Sequence, residues 1–385
     1  MTNQSKKKLL FIVTEDWYFY SHRLPIAELA LKQGFEVHVA CKIDKHEERI
    51  REKGFIPHAL NWERSDLSPR TIYKNQHEIA TIISIVQPDI INYIAMKPIL
   101  IGALLACQYT KFNNIKKIYS FTGLGTLFTS KKLIHQFIRM FAIPILKFGL
   151  KRPNSFYIFQ NDDDFNELRF KKIFNPEFAA LIRGSGVDEK HFQPSPLPPL
   201  KEGIKFCTIA RMLKDKGIEQ CVEAHQHLWA DGYKSELWLV GDPDPENPTS
   251  YSPETLKQWA KLPGILWLGH QSDVREILKK AHVSILMSKR EGLPKSLLES
   301  NSCGRPIIAS DVPGCRSMVH NNVNGFKVPF ANIQALKIAM KLFIEEQAPI
   351  QEMAKASREL ILNGFTADTI AKQTIDFYNK TLIEQ

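Results

Sequence analysis

Glu291 and Glu299 stand eight positions apart in the run KREGLPKSLLES (289–300), with Pro294 between them where a helix would begin. Proline suits the first helical position because its missing N–H has no intrahelical partner there anyway. Backbone N–H groups around Gly292, Leu293 and Lys295 then form an anion site, reinforced by the helix dipole. A phosphate belongs at that spot. Glu291 lies on one side of it, and Glu299, five residues into the helix, lies about 8 Å further along at 1.5 Å per residue. Carboxylates so separated can grip hydroxyls on either side of a diphosphate: sugar hydroxyls at Glu291, ribose hydroxyls at Glu299. The anion also needs cations. Arg211 and Lys216 leave the end of the strand-like run IKFCTIA (204–210), where they would balance the diphosphate and stabilise a negative leaving group. Taken singly, Arg211 and Lys216 read equally as surface charges and Glu299 as a partner of Lys295. Their joint occurrence on strand-end loops favours the anion site.

Elements able to position these residues recur along the chain. The 385 residues are 44% hydrophobic and 24% charged, which excludes a disordered or fibrous protein and favours two domains. KKLLFIVTE (7–15), EVHVAC (36–41), IINYIA (90–95) and KIYSFTG (117–123) alternate with helical stretches. The same rhythm runs through IKFCTIA, ELWLVG (236–241), ILWLG (265–269), VSILMS (283–288) and PIIAS (306–310). This βαβ order predicts parallel sheets covered on both faces. Between the halves, HFQPSPLPPLKEG (191–203) carries prolines enough for a stiff exposed linker. The expected fold is α/β: two doubly wound Rossmann-like domains, 1–190 and 204–365, facing a central cleft lined by strand ends.

Charge is distributed unevenly. Of the net +10, +9 falls within residues 1–190 and +1 in the rest. No acidic residue occurs between Asp89 and Asp162, while Lys97, Lys111, Lys116, Lys117, Lys131, Lys132, Arg139, Lys147, Lys151 and Arg152 all do. The segment 132–151 places Lys132, Gln136, Arg139, Lys147 and Lys151 on one helical face, with Leu133, Phe137, Phe141, Ile145 and Phe148 elsewhere and Pro144 as a kink point. Its expected partner is an anionic membrane surface, contacted through Lys131, Lys132, Arg139, Lys147, Lys151 and Arg152. The alternative is a core helix with a solvated basic face. Helix-turn-helix, zinc and aromatic RNA-reading patterns are missing, so nucleic acid is not an expected partner.

The longest apolar run, Ile99 to Ala106, is far short of the ~20 residues of a membrane-spanning helix. Glu15 and Asp16 follow LLFIV directly, unlike a signal peptide. Six cysteines without C-x-x-C spacing suggest reduced thiols in a cytoplasmic protein.

With these residues in place, SKREGLPKSLLESNSCGRPIIASDVPGCRSMV (288–319) and ARMLKDKG (210–217) resemble the retaining glycosyltransferases of family 4, of GT-B fold, whose signature is Glu-x7-Glu. GSGVDEKHF (184–192), LVGDPDPENP (239–248), WLGHQSDV (267–274), NGFKVP (324–329) and FTADTIAKQTIDFY (365–378) extend the resemblance over essentially the whole chain. FYSHRLPI (19–26) and FTGLG (121–125) are similar to the CapM-like and PglA-like branch that assembles capsular, O-antigen and lipid-linked glycans. The resemblance implies that Arg211 and Lys216 bind a donor diphosphate, Glu291 the transferred sugar and Glu299 the ribose, with Gly269 and His270 holding the base. It implies a nucleotide-sugar donor, UDP-linked, a polyprenyl-diphosphate-linked glycan acceptor, and a final helix, 366–385, returning to the first domain. It implies no cofactor and no metal.

Many relatives carry a histidine where this chain has Ser120, Phe121, Thr122 and Gly123, so Thr122 and Gly123 become the candidates near the sugar. Gly123 and Gly125 begin a dinucleotide fingerprint, but Phe128 occupies its third glycine position. Asp162 to Asp164, Asp242 and Asp244 read as helix caps and solvated loops rather than metal ligands. His22 and Arg23, opening the first helix, are candidates for an acceptor phosphate. Two rival readings are a GT-B sugar-nucleotide epimerase and a non-catalytic membrane-associated subunit of a polysaccharide assembly complex.

Overall fold

The computed structural model describes residues 6–62, 66, 68–124, 128, 133–346 and 348–384, with the side chains of 133–138 and 202 outside the description. Lys131, Lys132 and Gly125 therefore lie outside the described residues. The chain divides into two compact units: residues 1–185 with 368–385, and residues 186–367.

The first unit holds a seven-stranded parallel sheet in the order β3-β2-β1-β4-β5-β6-β7. Its strands are β1 (Lys8–Glu15), β2 (Glu36–Lys42), β3 (Ile56–Ala59), β4 (Ile90–Ile94), β5 (Lys116–Phe121), β6 (Ser155–Phe159) and β7 (Ala179–Leu181). Because successive strand side chains point to opposite faces, each strand feeds two cores. Leu10, Ile12, Tyr93, Tyr119, Phe121 and Tyr157 pack on one side, beneath α4 (Pro69–Val86), α5 (Met96–Gln108), α6 (Leu133–Gly149) and α7 (Asp162–Phe170). Leu9, Phe11, Val37, Val39, Ile118 and Ile158 pack on the other, under α1 (Asp16–His22), α2 (Leu24–Lys32) and α3 (Glu47–Glu52). The last helix of the chain, α14 (Ala367–Ile383), closes this second face with Ile370, Ala371, Ile375 and Tyr378. Short apolar runs buried on both faces are what a parallel sheet requires.

The second unit repeats the scheme with six parallel strands, β10-β9-β8-β11-β12-β13. These are β8 (Lys205–Ile209), β9 (Glu236–Val240), β10 (Ile265–Gly269), β11 (Val283–Leu286), β12 (Ile307–Ser310) and β13 (Gly325–Val328). Covering them are α8 (Ile218–Ala230), α9 (Pro253–Trp259), α10 (Arg275–Lys280), α11 (Lys295–Ser302), α12 (Ile333–Ile344) and α13 (Ile350–Leu362).

Several expectations need correction. The proline-rich stretch 191–203 belongs to the second unit instead of joining two domains, and the chain passes between units at 185/186 and 367/368. A buried arginine explains it: Arg305 donates to the carbonyls of Leu278 (2.5 Å), Ser195 (2.9 Å) and Pro196 (3.4 Å) and to the Ser195 hydroxyl. Arg358 holds the carbonyls of Glu189 and Phe192 at 3.1 and 3.0 Å. Carbonyls that proline leaves unpaired in any ladder are thus satisfied by two guanidinium groups.

The basic stretch of the first unit is also less exposed than its count implies. Lys97 and Lys117 are buried: the first gives its ammonium to the Asp66 carbonyl (2.9 Å), the second to those of Phe112 (3.3 Å) and Ile115 (3.0 Å). Burial, with Lys116 nearby, lowers the Lys117 ammonium to about 8. Helix α6 continues through Pro144 and buries Ala142, Leu146 and Gly149, whereas Met140, Phe141, Pro144, Lys147 and Phe148 are exposed. Phe141 and Phe148 therefore share the solvent face with the lysine rather than lying on an opposite, buried one. Among the described residues no helix is long and apolar enough to cross a membrane.

Candidate donor site

Several loops of the second unit converge at strand ends. Strand β8 is the neighbour of both β9 and β11, so the loops after these three strands meet although they are far apart in sequence. Lys216 follows β8 in a short 3-10 turn and ion-pairs with Glu291, which follows β11. The Ser288 hydroxyl donates to the same carboxylate oxygen at 2.6 Å, and the Glu291 N–H donates to the Pro313 carbonyl at 3.1 Å. Two glycines allow this approach. At Gly217 (φ +69°) a Cβ would lie 2.1 Å from the Met287 carbonyl oxygen, and at Gly314 (φ +80°) it would lie 2.5 Å from that of Gly292. Any side chain there would force the loops apart.

Helix α11 starts at Lys295, with Pro294 as its N-cap residue rather than its first helical residue. The N–H groups of Leu297 and Leu298 both donate to the Pro294 carbonyl, at 3.1 and 3.2 Å, and the helix start lies beside the loop that carries Glu291. Glu299 lies in the second turn, 3.7 Å from Lys295 Nζ, with its side chain 12% exposed. Burial raises its carboxyl from 4.5 to about 7, against the pull of Lys295. The pairing with Lys295 and a position one turn from the helix start therefore coexist.

Arg211, at the end of β8, ion-pairs with Asp244 beyond β9. Gly269 ends β10, and the His270 N–H donates to Asp242 at 3.0 Å. Asp242 and Asp244 thus hold a backbone turn and a cation. Asp242 and Asp244 had no spacing signal, since each acts across neighbouring strands, whereas Ser288 acts three residues along its own loop. No group of three or more His, Cys, Asp or Glu suited to a metal occurs among the described residues.

In the first unit, His22 is the last residue of α1 and Arg23 caps α2, so neither opens the first helix. His22 stacks on Tyr18, rings 4.4 Å apart, and its Nδ1 lies 2.6 Å from the Ser21 hydroxyl. Arg23 is 5% exposed, and its Nε and Nη2 lack a hydrogen-bond partner among the described residues. Thr122 and Gly123 (φ +116°) follow β5, partly buried. Asp162, Asp163 and Asp164 form the first turn of α7, capped by Asn161.

Two doubly wound sheets, one bearing carboxylates and cations around a helix start, are the architecture of the GT-B glycosyltransferases. Residues 189–360 match the family "Glycosyl transferases group 1" and residues 8–161 "Glycosyl transferase 4-like". The chain belongs to the family 4 glycosyltransferases. It is 26% identical over 377 residues to the N,N'-diacetylbacillosaminyl-diphospho-undecaprenol alpha-1,3-N-acetylgalactosaminyltransferase of Campylobacter jejuni, covering 94% of this chain and 96% of that one. It is also 26% identical over 275 residues to the UDP-Gal:alpha-D-GlcNAc-diphosphoundecaprenol alpha-1,3-galactosyltransferase of Escherichia coli, covering 69% and 68%. A sucrose-phosphate synthase from Thermosynechococcus elongatus shares the fold, with a TM-score of 0.80 at 19% identity over 99% of this chain and 100% of that one.

Proposed function

We propose that the protein moves a hexose or N-acetylhexosamine from a UDP-sugar to a polyprenyl-diphosphate-linked glycan, with retained configuration, during surface polysaccharide assembly. The observation that carries this reading is the Lys216–Glu291 pair, fixed by Ser288 beside the start of α11 with Glu299 in its second turn. Relatives that act on diphospho-undecaprenol acceptors support the acceptor class, and one of them names a UDP-sugar donor.

In this reading the acceptor hydroxyl oxygen attacks the anomeric carbon on the face that the diphosphate leaves. The bond from that carbon to the diphosphate oxygen breaks, the hydroxyl proton passes to that oxygen, and UDP departs. Arg211, Lys216 and the N–H groups of Gly292 and Leu293 stabilise the growing negative charge. Glu291 orients the sugar, Glu299 the ribose, and Gly269 and His270 the base. Helix start and cations neutralise the diphosphate, so no metal or cofactor is needed. In the first unit, His22 and Arg23 serve the acceptor phosphate, and Thr122 and Gly123 the transferred sugar.

The exposed face of α6 joins Lys147 to Met140, Phe141 and Phe148, the composition of a helix lying in a membrane interface. The protein then works peripherally on the inner face of the cell membrane, where its lipid-linked acceptor resides, with Arg139, Lys151 and Arg152 adding to the attraction.

Incubation with lipid-linked acceptors and a panel of UDP-sugars tests the reading. Acceptor-dependent release of UDP with a lengthened glycan is expected. An altered sugar nucleotide formed without acceptor would point to an epimerase, and failure to bind UDP at all would sink the donor assignment.

A further inference from the structure

A cavity of about 740 Å³ opens at the other end of the first unit's sheet, where β6 and β7 begin. Its rim carries Lys151 and Arg152, just after α6, and Arg169 and Lys172, at the end of α7. All four are exposed and none makes an ion pair among the described residues. Among the described residues the wall holds one carboxylate, Glu384, which already meets Lys380 at 3.3 Å, against four cations. Asn154 and Asn175 add amides, and the floor is aromatic, including Phe156 and Phe174.

Two wall residues, Asn154 (φ +58°) and Lys172 (φ +51°), have left-handed backbones. For Lys172 this is a helix-terminating position usually given to glycine or asparagine. Large apolar side chains are normally covered, as Leu150, Leu168 and Ile173 beside wall residues are, yet three others close to the wall in sequence are not. Phe148 is 71% exposed, Phe170 88% and Ile383 82%, and Phe178 in the wall itself is 40% exposed. A cationic cavity fringed by uncovered apolar side chains matches an amphiphile whose anionic head enters while its chains stay outside.

We propose that this cavity binds the phosphate-bearing headgroup of an anionic phospholipid, with Phe148, Phe170 and Ile383 entering the acyl boundary around it. The proposal rests on the membrane association proposed above and supplies its specificity: four aimed cations in a built cavity instead of a diffuse field.

The test is binding of the full chain to phosphatidylcholine vesicles with and without 30% phosphatidylglycerol (about a third of the lipid, a strongly anionic surface), without donor or acceptor. A chain that transfers no sugar can therefore still pass or fail it. Arg169→Glu with Lys172→Glu should weaken binding to the anionic vesicles at least tenfold. Lys257→Glu with Lys261→Glu, the same charge change on exposed lysines of the second unit, should weaken it less than threefold. Arg169→Gln with Lys172→Gln should fall between, with melting temperatures unchanged throughout. Equal losses from both charge-reversed pairs, or none from the first, would overturn the proposal. So would a melting-temperature rise with 1 mM glycerol 3-phosphate (a thousandfold below molar, where only a tight soluble-phosphate site is filled) that the Arg169/Lys172 pair abolishes.

Discussion

Lys216 and Lys147 carry the same ammonium group in opposite circumstances. Around Lys216 every cation of the candidate donor site faces a carboxylate: Glu291 for Lys216, Asp244 for Arg211, Glu299 for Lys295. From Lys147 to Arg152 in the first unit the cations have no acidic partner among the described residues. A charge held by a partner is fixed in direction and costs little to reorganise when a ligand arrives. A charge left unpaired extends a field that attracts any anionic surface within a Debye length. In the proposed reading the second unit recognises one small anion, and the first finds a surface.

The largest break in this contrast comes from removing a fixed charge. Glu291→Gln and Lys216→Ala should each lower transfer about 10²–10³-fold, measured as UDP release, with the melting temperature little changed. Ser288→Ala removes the hydroxyl that orients Glu291 and leaves the Lys216–Glu291 pair, and should cost about tenfold. If Glu291→Gln keeps full activity, the pair is a surface contact and the contrast fails at its centre.

Next comes a charge that the second unit turns wholly inward. Arg305→Ala deprives several buried carbonyls of their donor at once and should destabilise the second unit by roughly 3 kcal/mol or more. Chemical denaturation should show it, and Arg305→Lys should recover only part, because an ammonium cannot span acceptors arranged around a planar fork.

Much of this was legible in the sequence, and the failures have physical causes. Nine apolar runs correspond to observed strands, because a parallel strand buried on both faces has to be continuously apolar. Strand β3, Ile56–Ala59, reads Ile-Pro-His-Ala at the sheet edge and has no such run. Strand β7 is three residues long and unburied, and β6 directly follows an apolar helix whose pattern conceals it. The glutamate spacing was visible because one loop and one helix carry it. The Asp242 and Asp244 contacts depend on strand order, which spacing does not encode, and the Ser288 contact is set by the bend of one loop. Counting lysines could not reveal that Lys97 and Lys117 curl back onto carbonyls.

Glu299 gives a smaller effect with a defined sign. Its carboxyl is raised from 4.5 to about 7 by burial. Between those values the folded chain keeps a proton that the unfolded chain has released, so stability falls as pH rises through the window and levels off above it. Glu299→Gln should abolish that slope and raise stability at pH 8 (about one unit above the folded carboxyl) by on the order of 2 kcal/mol. In the proposed site the ribose hydroxyls would need the ionised carboxylate as acceptor. Calorimetric affinity for UDP should therefore rise from about pH 6 to 8 in the wild type and stay low and flat in the variant. Equal pH profiles would remove Glu299 from the ribose site.

The smallest effect separates the two components of the α6 face. Lys147→Gln removes one charge near an anionic surface, worth about 1 kcal/mol, or roughly fivefold in vesicle partitioning at low salt. Because that attraction is screened, the deficit should vanish as salt approaches 1 M, where the Debye length is about 3 Å. Phe148→Ser removes apolar area instead and should weaken partitioning by a similar factor at low and high salt alike, since dehydration of a ring is not screened. A salt-independent Lys147 effect would mean that the lysine contacts a specific group. A salt-dependent Phe148 effect would mean that the ring acts only by placing its neighbouring charge, leaving the first unit's attraction to membranes purely electrostatic.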